Sequence, residues 1–478
     1  MSKRIELRVK NNHSLPPLSW QWTKKAAQYN GETGPGCPVD CAHCNQQFFN
    51  VGEQGRTVDP LIYGIGAGIS INTFMRVGKL KLAEIPADLV IQHLLASPLY
   101  TPNANIIFEN FTDPGLDWKK TLVMMNLLIE HGHHGALVTI TKLPIRPKDI
   151  IGLQNLQEKG GFPIVMISHS GLPESLEPSF GKGRVHNMHR LHEANIPIIH
   201  SLRPLVRGIN TSQQHLASIL EQTLPYVSVT VPGGLVVDET NLAEFERRGH
   251  PLSNEYTDAQ YTRADIWPTE KADMRFIRKY ANAHGYDQPI HKFVSCAISI
   301  IMTDVYQQPT PDRMAQWSGF RGDNNNWAFC HSCCTPTQIQ ACRDHAQQPT
   351  EQIISQAERI LEELGYKVTI RPAKNKEGVL LIEGGFLAEN ILYGIKGTLG
   401  FYVNHFPNEQ ELISAATNLI SDKLGVSFID SIKQLYAKDD LWHITFKSTV
   451  DESLAQAILN WIRGNLRVPI VIDQPTGN

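Results

Sequence analysis

The chain has 478 residues and a formal net charge of −3, from 44 basic and 47 acidic side chains. Hydrophobic residues make up 41% and charged residues 19%, which is typical of a globular protein with a sizeable core. The charge balance argues against bulk affinity for nucleic acid, which usually requires a basic excess. No stretch has the apolar length of a signal peptide or of a membrane span, so we expect a cytoplasmic protein without membrane contact.

A cysteine-rich loop is the first segment with a clear chemical character. The sequence GPGCPVDCAHCN places Cys37, Cys41 and Cys44 in a C-x3-C-x2-C pattern. Three thiolates at this spacing wrap one corner of a cubane and leave its fourth iron open, whereas a zinc ribbon usually supplies two C-x2-C pairs. We therefore predict a four-iron four-sulfur (4Fe–4S) cluster. The alternative is a zinc site completed by His43 or by a distant residue.

Helix-like and strand-like segments then alternate between residues 85 and 235. Helices are predicted at 85–100, 116–132, 146–160, 183–195 and 212–224, and strands at 104–110, 136–142, 163–169, 197–206 and 227–233. The strands are continuous β-branched runs, as expected when helices cover both faces of a sheet. This pattern predicts an α/β fold with a partial parallel (βα)6 TIM-like barrel, whose chemistry lies at the carboxyl ends of the strands.

Four segments carry patterns of a known enzyme family. They are the cysteine motif, IIFENFTDPG (106–115), VTITKLPIRPKDI (138–150) and SHSGLPESLEPSFGKGRVHNMHRLHEANIPIIHSLRPLVRGIN (168–210). Together they resemble the radical S-adenosylmethionine (SAM) superfamily, and within it the spore photoproduct lyase-like branch. The resemblance implies an enzyme that cleaves SAM reductively to a 5′-deoxyadenosyl radical, which abstracts hydrogen from a substrate. Lesion repair is not implied, because neither the hydrogen-donor cysteine nor a tyrosine pair of that branch aligns here.

The resemblance also implies residues that bind SAM. Thr112 and Asp113 would hold its amino group, as a hydroxyl and a carboxylate suit an ammonium. Asp113 next to Pro114 is equally suited to cap the helix that follows, and this alternative stays open.

Further residues of the matching segments are candidates for the rest of SAM. The resemblance assigns Lys142 to the carboxylate and Ser168 to the ribose or carboxylate, and it adds Glu177 and Arg203 as further candidates. Lys142 is also compatible with a solvated residue at a strand end.

Three histidines follow the predicted helix at 116–132. His131, His133 and His134 lie around Gly132 in EHGHHGA. At this position we expect helix capping and solvent exposure rather than a metal site.

A second group of cysteines lies at 330–342. Cys330, Cys333 and Cys342, with Cys296 upstream, are candidate ligands of an auxiliary 4Fe–4S cluster. Cys330, Cys333, Cys342 and His345 equally form a C-x2-C-x8-C-x2-H set that suits zinc. Buried thiols without a metal are the remaining alternative.

The sequence as a whole predicts three parts. They are a core barrel over 1–240, a cysteine-bearing extension over 241–345, and a C-terminal α+β domain over 351–478. The last part contains strand-like YKVTIRP, GVLLIEG, ILYGIKGTLGFYV and DLWHITFKS, with helices between and around them. We expect this domain either to recognise the substrate or to seal the open barrel.

Two substrate classes remain open. One is a peptide or protein bound by the C-terminal domain, and the other is a nucleotide or nucleic acid, which the family resemblance favours and the charge balance disfavours. In both cases the expected partner is an external reductant such as flavodoxin or ferredoxin.

Overall fold

The computed structural model describes most of the chain from residue 86 onward and a few segments before it. The described residues are 6–8, 14–17, 42, 62–65, 67–71, 74–77, 81–84, 86–109, 113–177, 181–237, 239–257, 265–308, 334, 336, 339–340, 343–344, 351–374, 378–387 and 389–473.

Strands and helices of these segments are numbered here in chain order. The strands are β1 (Glu6–Arg8), β2 (Ser14–Pro17), β3 (Ile62–Ile65), β4 (Gly68–Ile71), β5 (Phe74–Val77), β6 (Lys81–Glu84), β7 (Ile106–Phe108), β8 (Ala136–Thr141), β9 (Phe162–Ser168), β10 (Ile198–Leu202), β11 (Val229–Pro232), β12 (Leu235–Val236), β13 (Asp265–Ile266), β14 (Thr369–Pro372), β15 (Val379–Glu383), β16 (Tyr402–Phe406), β17 (Ile432–Lys438), β18 (Leu441–Phe446) and β19 (Ile470–Ile472). The α-helices are α1 (Ala87–Leu95), α2 (Trp118–Glu130), α3 (Pro147–Glu158), α4 (Gly181–Glu193), α5 (Gln213–Thr223), α6 (Glu239–Arg247), α7 (Asn254–Thr257), α8 (Glu270–Ala283), α9 (Val294–Ile300), α10 (Glu351–Glu363), α11 (Glu389–Leu399), α12 (Glu409–Leu424), α13 (Phe428–Ser431) and α14 (Glu452–Trp461).

A seven-stranded sheet in the order β11-β10-β9-β8-β7-β4-β3 forms the centre of the fold. Six of its strands run parallel, and β3 pairs antiparallel with β4 at one edge. Helices α2 to α5 alternate with β7 to β11, which confirms the predicted βα run. The sixth parallel strand, β4, was not predicted. Among the described residues β11 does not pair with β3, so the sheet is consistent with a partial barrel.

Different elements pack on the two faces of this sheet. On the outer face, residues such as Ile106, Leu137 and Val165 share one apolar core with α1 to α4. On the inner face, the alternate residues Ile107, Val138 and Ile164 pack against α9 and the π-helical turn Ile301–Val305 that continues it. Because strand side chains alternate between faces, almost every strand position is buried, and continuous apolar runs result.

The C-terminal region contains two small sheets, β14-β15-β16 and β17-β18-β19. Helix α11 connects the parallel strands β15 and β16. The prediction of a continuous strand-like segment for ILYGIKGTLGFYV was wrong in its first part, since Glu389–Leu399 is helical. The buried residues Ile391, Leu392, Ile395 and Leu399 lie at helical spacing, and this helix buries them against the main core.

Helix α11 packs directly on β3 and β4. A side chain is excluded where they meet, because a Cβ on Gly397 would lie 3.0 Å from the backbone carbonyl carbon of Gly68. Beside this contact the Thr398 hydroxyl donates to the Leu99 carbonyl. Residues of α10, β14 and β15 belong to the same apolar core. The division of the chain into domains stays a prediction, but this packing favours a structural role for residues 351–406.

We expect Gly397→Leu to lower the free energy of unfolding by about 2 kcal/mol or more, because overpacking a backbone contact forces the helix and sheet apart. The measurement is thermal or denaturant unfolding. Ser414→Leu is the matched control, since Ser414 lies exposed on α12 and offers room for a larger side chain. Equal unfolding midpoints for the two variants would contradict the packing described here.

The expectation of solvent exposure was wrong for His133. His131 is exposed at the end of α2, whereas His133 is buried and its Nδ1 lies 3.2 Å from the Tyr100 hydroxyl. Burial, and to a lesser degree the charge of His134, lowers the pKa of His133 to about 3. His133 is therefore neutral in the folded protein.

This burial predicts a specific loss of stability in acid. The folded pKa lies below the ordinary value of 6.5, so the unfolded chain binds the proton more tightly and stability falls as pH drops below that value. Between pH 7 and pH 5 the contribution is about 2 kcal/mol. We expect His133→Gln to flatten the pH dependence of the unfolding free energy by this amount, and His131→Gln to leave it unchanged. If the unfolding free energy of His133→Gln depends on pH as steeply as that of wild type, His133 is already exposed in the folded protein.

Candidate functional site

Polar side chains collect at the carboxyl ends of the parallel strands. Glu109 follows β7, Lys142 follows β8, Ser168 ends β9, and Arg203 follows β10. Carboxyl ends of parallel strands lie along one edge of a sheet. The structure therefore brings the predicted residues Lys142, Ser168 and Arg203 to a common edge.

Asp113 connects the segments after β7 and β8. Its Oδ1 accepts hydrogen bonds from the Thr141 hydroxyl at 2.6 Å and from the Gly115 backbone N at 2.8 Å, and its Oδ2 accepts one from the Lys142 backbone N at 2.8 Å. The Gly115 bond caps the 3-10 helix Pro114–Leu116. Asp113 thus caps this short turn, whereas Asp117 caps the predicted helix α2, and the role of Asp113 in SAM binding stays a prediction. Thr112, the other residue predicted to hold the amino group of SAM, lies outside the described residues.

Opposing effects act on the protonation of Asp113. Burial raises its pKa, while the hydrogen bonds from Lys142, Thr141 and Gly115 lower it. Burial is the larger effect, so the net result is a raised pKa of Asp113. The three hydrogen bonds fix the strand end that carries Lys142.

Glu177 is the centre of a second charged group. Its Oε1 forms an ion pair with the Lys142 ammonium, and its Oε2 forms one with Arg184 Nη1 at 2.7 Å. The Ser170 hydroxyl donates to the same Oε2 at 3.2 Å. Lys142, which is predicted to bind the carboxylate of SAM, therefore has a carboxylate partner from the protein.

Two neutral histidines lie next to this charged group. Burial, followed by the charge of Arg184, lowers the pKa of His169 to about 4. Burial lowers the pKa of His200 to about 3. His200 Nε2 donates to the His169 carbonyl at 2.8 Å, so Nε2 carries the proton of the neutral ring. These rings add no positive charge near Arg184.

The cysteine loop reaches the same edge of the sheet through Ala42, its only described residue. The Ala42 backbone N donates to the Leu176 carbonyl at 2.8 Å. The Ala42 side chain is buried in a cluster with Leu172, Leu176 and Val206. Cys37, Cys41 and Cys44 lie outside the described residues, but Ala42 stands between the last two of them in the sequence. The middle of the motif thus lies one residue from Glu177.

Ser168 lies on the inner face of the sheet. It follows Met166, which belongs to the inner core, by the two-residue period of a strand. Ser201 of β10 pairs with it in register. These two buried hydroxyl-bearing residues stand above the apolar layer that α9 covers, so the inner face becomes polar toward the carboxyl edge.

Arg203 contacts two neighbouring segments of the protein. Its Nη2 donates to the Lys292 carbonyl at 2.7 Å, and a Cβ on Gly233 would lie 2.3 Å from its Nε. Arg203 therefore joins the ends of β10 and β11 to the segment that leads into α9. Its role as a SAM ligand stays a prediction.

The second cysteine group is mostly outside the described residues, which exclude Cys330, Cys333, Cys342 and His345. Cys296 is half-buried on α9. Within the described part of the chain, no three His, Cys, Asp or Glu side chains come together in a way that suits a metal ion. Both metal alternatives for this group stay predictions.

Sequence reasoning missed Glu109 and Arg184. Glu109 is buried directly after β7, with its φ of 56° in the left-handed region, which is uncommon for a residue with a side chain and frequent at functional sites. An acidic residue at the end of an otherwise apolar predicted strand (104–110) was the available signal. Arg184 gave none, because a basic residue on an amphipathic helix is usually solvated.

Similarity to known proteins is found at the level of structure. No protein-family model matches the chain, and no curated protein matches it. Among solved structures, the chain is similar to a double mutant of spore photoproduct lyase with bound SAM and dinucleoside spore photoproduct. The identity is 14% and the TM-score 0.36, over 53% of this chain and 73% of that one. Because the identity and the TM-score are this low, we infer the function from the residues of this chain.

No helix among the described residues combines the length and the apolar character needed to cross a bilayer.

The hydrogen bonds of Asp113 predict a clear effect of Asp113→Asn on stability. Asp113 accepts hydrogen bonds from the Thr141 hydroxyl and the Lys142 backbone N with different oxygens. An amide has only one acceptor oxygen and loses at least one of these two bonds. We therefore expect the free energy of unfolding to fall by about 1–3 kcal/mol. Asp117→Asn is the matched control. Asp117 caps α2 through the Lys120 backbone N alone, and Asn caps helices about as well as Asp. Equal unfolding curves for the two variants would contradict the linking role of Asp113.

Proposed function

We propose that this protein is a radical SAM enzyme that holds a 4Fe–4S cluster on Cys37, Cys41 and Cys44. The hydrogen bond from Ala42 to Leu176 carries the proposal. It anchors the middle of the cysteine motif at the carboxyl edge of a parallel sheet, one residue from the Lys142–Glu177 pair. Ala42 and the polar side chains of the strand ends therefore lie near the same edge, where such sheets place their chemistry, which supports the proposal.

The donor set fits the cluster. Three cysteines within eight residues suit three irons and leave a fourth for an external ligand. A cluster held there supplies the electron for reductive cleavage of SAM to methionine and a 5′-deoxyadenosyl radical, which then abstracts hydrogen from the substrate.

The residues of the sheet edge would bind and orient SAM. We assign its carboxylate to Lys142 and its ribose or carboxylate to Ser168. Since Asp113 uses its carboxylate oxygens on the protein, its task is to hold the backbone of Lys142 in place. Glu109, buried directly after β7 at the same edge, is a further candidate for the SAM ammonium, because a carboxylate and an ammonium form a charge-assisted hydrogen bond.

The remaining components follow from the sequence alone. An external reductant such as flavodoxin or ferredoxin would supply the electron. The substrate is a peptide or protein, or alternatively a nucleotide or nucleic acid. The second cysteine group holds an auxiliary 4Fe–4S cluster or zinc.

Anaerobic reconstitution with iron, sulfide, SAM and a reductant tests the proposed reaction. We expect wild-type protein to show iron–thiolate charge-transfer absorption and to release 5′-deoxyadenosine, detected by mass spectrometry. Replacement of Cys37, Cys41 and Cys44 by Ala should abolish release, since these thiolates are the proposed ligands. Continued formation of 5′-deoxyadenosine by this triple variant would refute the proposal.

Metal analysis of the same triple variant separates the two alternatives for the second cysteine group. About four residual iron atoms per chain support an auxiliary cluster, and one zinc without iron supports the C-x2-C-x8-C-x2-H site. Protein without either metal excludes both.

A further inference from the structure

Leu176 and Glu177 are consecutive residues that contact two different parts of the proposed site. The carbonyl of Leu176 accepts the hydrogen bond from Ala42 in the cysteine loop. The carboxylate of Glu177 binds the ammonium of Lys142 and the guanidinium of Arg184. Ala42 and the Lys142 ammonium are therefore both bound to a single dipeptide.

The three charged side chains differ in exposure in a way that indicates which of them faces a ligand. The side chains of Glu177 and Arg184 are 1% and 2% exposed, and that of Lys142 is 17% exposed. Glu177 and Arg184 are thus enclosed by protein, while Lys142 is the member that retains access to the outside. A buried ion pair interacts more strongly than an exposed one, because water screens it less.

Two groups besides Lys142 bind the carboxylate of Glu177. Arg184 Nη1 on α4 donates to Oε2, and the Ser170 hydroxyl after β9 donates to the same oxygen. Within the described part of the chain, Nε and Nη2 of Arg184 have no hydrogen-bond partner. A buried cation with two unpaired donors is costly, so its bond to Glu177 is the interaction that accounts for its position. The carboxylate is a fixed point to which Lys142 is attached.

We propose that Glu177 is a positioning residue, which holds the Lys142 ammonium in place and thereby sets the affinity for the carboxylate of SAM. Arg184 and Ser170 fix Glu177 in turn. This inference rests on the proposed function, since it takes SAM as the ligand of Lys142. It adds that Glu177 acts through Lys142 and does not itself contact the ligand.

Calorimetric titration of SAM into reconstituted, unreduced full-length protein tests this role without relying on turnover. We expect Glu177→Gln to raise the Kd for SAM about tenfold or more, as expected when a charge-assisted contact loses its alignment. Lys142→Met should raise it at least as much. In the Lys142→Met background, adding Glu177→Gln should have no further effect, because the side chain through which Glu177 acts is absent.

Glu255→Gln is the matched control. It removes a carboxylate from an exposed ion pair with Arg207, and exposed pairs contribute little, so the Kd should stay within about twofold of wild type. Iron content and thermal midpoint are measured for every variant. If Glu177→Gln does not fold, Glu177→Asp replaces it, because Asp keeps the charge but is one methylene too short to span Lys142 and Arg184.

Two results would overturn the inference while leaving the proposed function intact. One is a Glu177 variant that binds SAM as tightly as wild type. The other is an effect of equal size in the wild-type and Lys142→Met backgrounds, which would show that Glu177 acts independently of Lys142. Wild-type protein that carries iron but binds no SAM would instead refute the proposed function itself.

Discussion

The carboxylate of Glu177 lies between two cations in a region from which water is largely excluded, and the geometry of the candidate site depends on this arrangement. Removing one partner of such a group leaves a buried charge uncompensated, at a cost of about 3–5 kcal/mol. The pairing with Lys142 and Arg184 therefore constrains the end of β8, the start of α4 and the loop between β9 and α4 together. Asp113 reinforces the same strand end from the other side.

The central sheet confines this chemistry to one edge. Helix α9 and the turn after it cover the lower inner face, where the strand residues are apolar. Toward the carboxyl edge the inner face carries Ser168 and Ser201 instead. Because α9 covers the apolar part of this face, a ligand bound on the same face would meet the polar layer and the loops beyond it. The segment before α9 is tied to this edge by Arg203.

The central βα run was predictable because each element there is dominated by one signal. Strands buried on both faces are apolar throughout, and the helices between them have regular apolar spacing. The edge strand β17 was missed because most of its side chains are exposed, which removes the pattern. Helix α11 was mistaken for a strand because its glycines lower its helix propensity. Gly397 allows close packing on β4, a tertiary constraint that local sequence does not reveal.

The candidate site was predictable to the level of strand ends. Lys142 and Ser168 were identified at the edge where parallel strands place ligands, and the structure has them there. The partners of these residues were harder to predict, since the Lys142–Glu177–Arg184 contacts join residues from separate elements. Arg184 in particular has an ordinary position within an amphipathic helix. Its burial depends on how α4 packs, and sequence spacing alone contains no information about that packing.

The hydrogen bond between Thr398 and Leu99 joins residues 299 positions apart. During synthesis, β3 and β4 leave the ribosome long before α11 exists, so the apolar outer side of this sheet edge stays uncovered for most of translation. Contacts of such long sequence separation form late and slow folding, and uncovered strands are prone to aggregation in the meantime. Biogenesis of this protein should therefore depend on chaperones that shield the first strands until the C-terminal third has been made.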